Sequence, residues 1–355
     1  ESGLNFIGPD PEVIAKMGSK IEARKVMEDA GVPIVPGIDY PLSNTDEALQ
    51  AANDIGYPVM LKASAGGGGI GMQIAGNDDE LKKAFSGNQK RAADFFGDGS
   101  MFIEKFIENP RHIEIQIVAD NQQNTVYLWE RECSIQRRHQ KVIEEAPSPF
   151  LDEETRAKMG QAAVKAAKAI GYVNAGTIEF LVDAKKNFYF LEMNTRLQVE
   201  HPVTEEITGI DLVKQQIDIA WGNTLPYTQD DVRLDGHAIE ARIYAEDPNT
   251  FFPSPGKITK LAIPSGANIR HELAVKDKST VTPFYDPMIA KIITKGETRD
   301  AAIENMKQAL ESYIVEGIKT NIPLLQNVIT SEAFLNGDTT TNFIQQYVQE
   351  KTTTT

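Results

Sequence analysis

Three patterns in the sequence predict a mixed α/β protein of the α+β kind. Residues 176–183 and 188–192 are apolar, β-branched or aromatic runs joined by Ala184, Lys185, Lys186 and Asn187, which is how a β-hairpin reads. A second strand pair is predicted at residues 58–63 and 72–75, separated by the glycine-rich Ser64-Ala65-Gly66-Gly67-Gly68-Gly69-Ile70-Gly71. Helical patterning over residues 153–170 and again over 299–316 supplies the α component.

Taken in order, residues 4–7 read as a strand, and helical patterning follows through Lys16 and from Lys20 to Asp29. Residues 31–37, with two glycines and two prolines, read as a linker. The expected organisation is residues 1–35 as the end of a preceding domain with its linker, and 36–106 as a compact unit holding the glycine run. Residues 107–235 then form a larger unit holding the hairpin, 236–349 a region of short strands, turns and a long helix, and 350–355 a disordered polar tail. The 355 residues carry a net charge of −15, which argues against a nucleic-acid surface. Cys133, the sole cysteine, excludes an internal disulfide and suits a reducing compartment. No run approaches the roughly 18 apolar residues of a membrane helix and no signal peptide is visible, so a soluble, cytoplasmic protein without membrane contact is expected.

The segment from Glu192 to Glu200 carries the chemistry. Glu192, Asn194, Arg196, Gln198 and Glu200 occupy every second position and share one face if the segment is extended. A solvated strand face usually carries Lys, Thr or Ser, whereas these groups bind cations and anions. If the hairpin pairs with Asp183 opposite Phe188, Glu179 falls opposite Glu192, with Cβ atoms about 4.5–5.5 Å apart. Two carboxylates that close want a shared proton or a divalent cation, and magnesium takes carboxylates together with substrate phosphates. The same register puts Leu181 and Phe190 beside the carboxylates, an apolar surface for a purine ring. In the glycine run, Gly66, Gly67, Gly68 and Gly69 let backbone N–H groups surround phosphate oxygens, with Lys62 at the mouth, as a mobile lid would. It is not a P-loop, because no Gly-Lys-Ser/Thr follows. The basic run from Gln136 to Lys141, between Glu130/Glu132 and Glu144/Glu145, is either a charged loop or a small-anion site.

Together the motifs resemble the biotin carboxylases of the ATP-grasp superfamily. The resembling segments are Lys62-Ala63-Ser64 with its glycines, residues 108–114, Arg137-Arg138-His139-Gln140-Lys141, Glu144-Glu145-Ala146-Pro147, residues 192–202 and Ala245-Glu246-Asp247-Pro248-Asn249, in the family's order along nearly the whole chain. The resemblance implies an ATP-grasp fold: a small lid (B) domain, a central antiparallel-sheet domain and a biotin carboxylase C-terminal region. It also implies that most of an N-terminal Rossmann-like domain is missing from this sequence, which puts turnover by this chain in question.

By matching positions, the resemblance assigns Lys20 and Lys62 to ATP phosphates. Glu104, Lys105, Phe106 and Ile107 form the adenine hinge, Leu181 packs on the ring, and His112, Gln136 and His139 lie around ribose and phosphates. Glu179, Glu192 and Asn194 hold two Mg2+ (or Mn2+) ions. Lys141, Arg196, Gln198, Val199 and Glu200 bind bicarbonate, Glu200 is the general base, and Arg242 stabilises the biotin enolate. Ile70 stands where many relatives carry a basic residue. The implied function is ATP-dependent carboxylation of carrier-bound biotin, the first half-reaction of a biotin-dependent carboxylase, with fatty-acid synthesis the expected setting. The partners would be a biotin carboxyl carrier protein or domain, a carboxyltransferase and a second copy in a homodimer. The alternatives are a non-catalytic nucleotide-binding fragment and another ATP-grasp carboxylate ligase.

Overall fold

Asp10 and Ser19 accept hydrogen bonds from the N–H groups of Glu12 and Glu22, and these caps open α1 (Pro11–Gly18) and α2 (Lys20–Asp29). The computed structural model describes residues 3–38, 40–63, 72–138 and 140–346. Residues 4–7, expected as a strand, form none; Leu4 and Phe6 are exposed, and no strand neighbours them to complete a ladder among the described residues. The expected linker does more than connect. Pro33 O accepts from Phe190 N–H at 2.7 Å, and Ile34 bridges Phe190 in parallel.

The small unit contains α3 (Thr45–Ile55), β1 (Val59–Ala63), β2 (Met72–Ala75), α4 (Asp78–Phe96) and β3 (Met101–Lys105). Its antiparallel sheet has the order β2-β1-β3, and Leu61, Leu81, Phe85, Met101 and Ile103 fill the space between sheet and helices. Asn44 and Asn77 cap the two helices through the N–H groups of Glu47 and Glu80, which in turn reach back to Ser43 N and Gly76 N. The predicted strands at 58–63 and 72–75 are present. Gly66, Gly67, Gly68 and Gly69, and with them the expected lid, lie outside the described residues.

A large sheet follows. Its strands are β4 (Arg111–Ala119), β5 (Thr125–Arg137), β6 (Gln140–Ala146), β7 (Asn174–Val182), β8 (Phe188–Asn194) and β9 (His237–Tyr244). Between them run α5 (Glu153–Ala169), α6 (His201–Thr208) and α7 (Leu212–Ala220). Beyond β9 come β10 (Gly256–Lys257), β11 (Lys260–Ala262), β12 (Ile269–Leu273), β13 (Thr280–Val281), β14 (Met288–Gly296), α8 (Arg299–Ser312), β15 (Ile314–Glu316), α9 (Ile322–Ile329) and α10 (Glu332–Leu335). Eight strands join in the antiparallel order β12-β14-β9-β6-β5-β4-β7-β8. Residue 235, the expected boundary between units, therefore falls within the connection between two strands of one sheet. Ile113, Ile178, Phe180 and Phe190 pack under α5 at one end, and Ile239, Ile243 and Ile292 pack under α8 and α9 at the other, with Leu325 of α9 in the same core.

The helix expected over residues 299–316 stops at Ser312. Tyr313 is extended, and the β-branched Ile314 and Val315 pair with Ala262 and Leu261 in β11. A second correction concerns residues 192–200: β8 ends at Asn194, and the chain bends so that Glu200 stands at the N-cap of α6.

Two irregularities in the ladder decide which side chains face the site. Phe180 pairs with Phe190 but Glu179 pairs with Glu192, so Leu191 is an extra residue. Val182, not Asp183, lies opposite Phe188, and the bulge restores the expected Glu179–Glu192 pair. It also turns Phe190 to the opposite face, where it is buried against Ile34 and the α5 core. The expectation that Phe190 lines the ligand face is therefore wrong, and Tyr189 stands beside Leu181 instead. In β6, Ile143 pairs with Ile135 and Lys141 with Gln136, so Val142 is extra and Lys141 shares a face with Glu144. Bulges re-aim side chains in this way beside active sites.

Candidate active site

On the face set by these bulges, β4 presents His112, Glu114 and Gln116, opposite Leu181, Glu179 and Thr177 of β7. Lys141 reaches across from β6. Its Nζ donates to Glu114 Oε2 at 2.5 Å, to Glu179 Oε1 at 3.0 Å and to Glu200 Oε1. Three carboxylates thus surround one ammonium. Burial pushes Lys141 down, but Glu114, Glu200 and Glu179 outweigh it and hold the group well above the usual lysine range.

Glu179 is the hub of the metal expectation. Its Oε1 also accepts from Asn194 Nδ2 and Gln198 Nε2, each at 2.9 Å, and its Oε2 lies 2.9 Å from His112 Nε2. Burial raises its carboxyl, but His112 and Lys141 bring the net well below the usual range; the His112 imidazole, pushed down by burial, is carried up by Glu179. Glu179 is buried, whereas Glu192 opposite it is exposed. Asn194 Oδ1 accepts from Arg196 Nη2 at 3.2 Å. Two carboxylates and an amide oxygen are the hard donors that magnesium takes, and the opposed pair fits that ion. His112, Glu114 and Glu179 also gather within 4.8 Å, as do Glu114, Cys133 and Glu200, but Lys141 sits among both groups.

At the next strand pair, Arg242 Nε and Nη2 bind Glu144 Oε1 at 2.6 and 2.5 Å, and Nη2 binds Glu200 Oε2 at 2.9 Å. Both oxygens of Glu200 therefore hold a cation. Burial pushes Glu144 up to about 7 against the pull of Arg242. Glu240, opposite Glu144, is fully buried, and burial with the nearby Glu144 lifts it well above the usual carboxylate range.

The other expected residues lie around this centre. Lys62 pairs with Glu104 near the end of β3. Lys105 N donates to Pro36 O and Phe106 N to Pro58 O, while Lys105 Nζ is held by the Gly56 and Tyr57 carbonyls. Gln136 Nε2 contacts His112 Nδ1 at 2.9 Å. Leu181 is half-buried beside His112 and Tyr189. Arg196 is exposed, with Nη1 on Leu197 O, and Gln198 is buried. Val199 O accepts from Lys291 Nζ. Lys20 opens α2, but its side chain, like the whole of His139, lies outside the described residues. Sequence reasoning assigned no role to Glu114, Arg131, Glu144, Glu240 or Lys291. The alternation of His112, Glu114 and Gln116 was a signal for Glu114; for Arg131 and Lys291 no local pattern existed.

Residues 19–228 match the family described as carbamoyl-phosphate synthase L chain, ATP binding domain, and residues 240–346 match the biotin carboxylase C-terminal domain. Biotin carboxylase 2 of Bacillus subtilis is 66% identical over 348 residues, covering 98% of this chain and 78% of that protein. The chain belongs to the biotin carboxylase family. Members of that family are ATP-dependent ligases. The biotin carboxylase of Halalkalibacterium halodurans is 63% identical over 352 residues, covering 99% of this chain and 78% of that protein. Among solved structures, the Campylobacter jejuni biotin carboxylase–β,γ-ATP complex superposes with a TM-score of 0.90 at 48% identity, covering 97% of this chain and 77% of that one. The biotin carboxylase domain dimer of Hydrogenobacter thermophilus 2-oxoglutarate carboxylase has a TM-score of 0.89 at 49% identity, covering 97% of this chain and 76% of that one. That structure holds MgADP, ADP and bicarbonate. The large antiparallel sheet is the biotin carboxylase ATP-grasp fold. Among the described residues, no helix is long and apolar enough to cross a membrane.

Proposed function

We propose that this chain carboxylates biotin on a carrier protein or domain, using ATP and bicarbonate through a carboxyphosphate intermediate. The observation that carries the reading is the Lys141 centre, where Glu200, Glu179 and Glu114 meet one buried ammonium beside Arg242. Bicarbonate is a poor nucleophile, so Glu200 takes its proton as its oxygen attacks the γ-phosphorus and ADP leaves. Lys141, Arg196 and Gln198, with the Val199 N–H, hold the anion, and the Arg196 fork suits a planar oxyanion. Carboxyphosphate then breaks down to CO2 and phosphate, the phosphate takes the ureido N–H proton of biotin as that nitrogen bonds to CO2, and Arg242 stands beside the ureido oxygen, where enolate charge develops.

For the nucleotide, Lys105 and Phe106 spend their N–H groups within the small unit, so the hinge donor to the adenine edge is Ile107 N–H. Leu181 and Tyr189 offer the surface for the ring, His112 and Gln136 the polar flank, and Lys20 and Lys62 the phosphate charge. Glu179, Glu192 and Asn194 would hold the magnesium, whose charge offsets that of the crowded phosphates. Lys62 must exchange Glu104 for phosphate, and Glu179 must loosen its hold on the nitrogen donors now around it. The expected partners are a biotin carrier, a carboxyltransferase and a second copy of the chain, in the cytoplasm. Incubation with Mg-ATP, 14C-bicarbonate and free biotin tests the reading: acid-labile label on biotin is expected, and ATP binding without any label transfer contradicts it.

A further inference from the structure

The loop carrying Glu200 is short and makes a sharp exit from β8, yet two buried cations grip it from either side. Arg131 of β5 is fully buried and uses all five guanidinium N–H groups. Nε donates to Glu114 Oε1 at 2.6 Å, Nη1 to Gln116 Oε1 at 2.7 Å and Thr204 Oγ1 at 3.0 Å, and Nη2 to Thr177 Oγ1 at 3.1 Å and Gln198 Oε1 at 3.0 Å. It thereby ties three strands to Gln198, two residues before Glu200, and to Thr204 in the first turn of α6. Gln198 is left to present its Nε2 to Glu179. Lys291 of β14, also buried, donates to Val199 O at 2.5 Å and lies 3.8 Å from Glu240. Neither cation belongs to the set assigned to substrates.

We propose that Arg131 and Lys291 are positioning residues for bicarbonate activation, clamping the Gln198 side chain and the Val199–Glu200 peptide so that Gln198 and the Glu200 carboxylate face the same anion. This rests on the reading of Glu200 as the base. Arg131 sets the side chain of Gln198, while Lys291, holding the Val199 carbonyl, sets the plane of the Val199–Glu200 peptide and with it the direction in which the Glu200 side chain leaves the loop. The pairing also explains why buried charges are kept here. Arg131 is balanced by Glu114, and Lys291, 3.8 Å from Glu240, makes its short hydrogen bond to the loop instead. A group that only stabilised the fold would have no reason to end on the one segment whose geometry the chemistry needs.

Lys291→Met, which removes the donor, and Lys291→Arg, which keeps one, test the clamp in the full chain; Arg131→Lys is the companion, with folding checked by thermal melting. Bicarbonate-dependent ATP hydrolysis and Mg-ATP affinity are measured for each. The expected result is a loss of about 10- to 100-fold in kcat/KM for bicarbonate in Lys291→Met and Arg131→Lys. Mg-ATP affinity should stay within a few-fold, and Lys291→Arg should recover most of the loss. Should Arg131→Lys fail to fold, the Lys291 pair decides alone. Equal losses for bicarbonate and Mg-ATP, or a folded Lys291→Met with unchanged bicarbonate kinetics, overturns the proposal. Wild type showing no bicarbonate-dependent hydrolysis overturns the parent reading and this one with it, an outcome distinct from variant parity against an active wild type.

Discussion

Arg242 Nη2 donates to Glu200 Oε2 at 2.9 Å, so the residue assigned to the biotin enolate and the residue assigned as base are in direct contact. On the proposed assignments the two half-steps share one ion pair, and disturbing Arg242 should disturb both. Arg242→Gln is expected to lower carboxybiotin formation by at least about 100-fold, since an oxyanion partner is typically worth that much. Bicarbonate-dependent ATP hydrolysis should fall as well, and Mg-ATP binding by calorimetry should change little. Normal carboxybiotin formation by the variant would remove Arg242 from the reaction.

The opposed carboxylates predict a split between binding and stability. Glu179→Gln and Glu192→Gln should each weaken Mg-ATP far more than metal-free nucleotide. Only Glu179 sits in a buried network with His112 and Lys141, and breaking a buried pair costs about 3–5 kcal/mol. Glu179→Gln should therefore also lower Tm by several degrees, and Glu192→Gln, at an exposed residue, should lower it less. Equal calorimetric losses with and without magnesium would refute the metal role.

Acid sensitivity follows from Glu145. Burial raises this carboxyl, but His237 at 2.7 Å and Arg299 at 2.7 and 3.1 Å bring it below its ordinary value of 4.5. A depressed native pKa means that the unfolded chain binds the proton more readily, so the stabilisation is present above about pH 4.5 and is lost as pH falls below it. Melting curves from pH 7 down to 3.5 should show Tm falling more steeply in wild type than in Glu145→Gln. Parallel slopes would show that this cluster does not set the acid limit.

Gly236, just before β9, has φ +71°, and a Cβ there would lie 2.4 Å from Gly296 O at the end of β14. Gly236→Ala should cost at least about 2 kcal/mol, from left-handed backbone and clash together. Denaturant titration with a ΔΔG under about 0.5 kcal/mol would contradict that.

The hairpin, the glycine-flanked strand pair and the 153–170 helix were legible because each is a local pattern: alternation, glycine spacing, or 3.6-residue periodicity. The Glu179–Glu192 pair was read correctly from a register one residue out, since the Leu191 bulge, invisible in the sequence, made up the difference. The same bulge hid the burial of Phe190. Residues 192–200 alternate like a strand yet bend after Asn194, and the partners of the bent segment, Arg131 on Gln198 and Lys291 on Val199, come from remote strands that no local pattern reveals. The continuation of helical patterning past Ser312 misled for a related reason: whether Ile314 and Val315 join a helix or a strand depends on β11, about fifty residues earlier. Glu114, Glu144 and Glu240 acquire meaning only when four strands bring them around Lys141 and Arg242.

Bicarbonate attack on the γ-phosphorus, with Glu200 taking the proton, is the step on which the proposed chemistry turns. Turnover in 18O-bicarbonate, with the released phosphate analysed by mass spectrometry, tests it most directly. Attack by a bicarbonate oxygen, followed by cleavage of the bond between that oxygen and carbon, leaves one labelled oxygen in each phosphate. Glu200→Gln should bind Mg-ATP within a few-fold of wild type yet produce labelled phosphate about 100- to 10,000-fold more slowly. Carboxybiotin formed alongside unlabelled phosphate, or labelled phosphate released at the wild-type rate by Glu200→Gln, would contradict this mechanism.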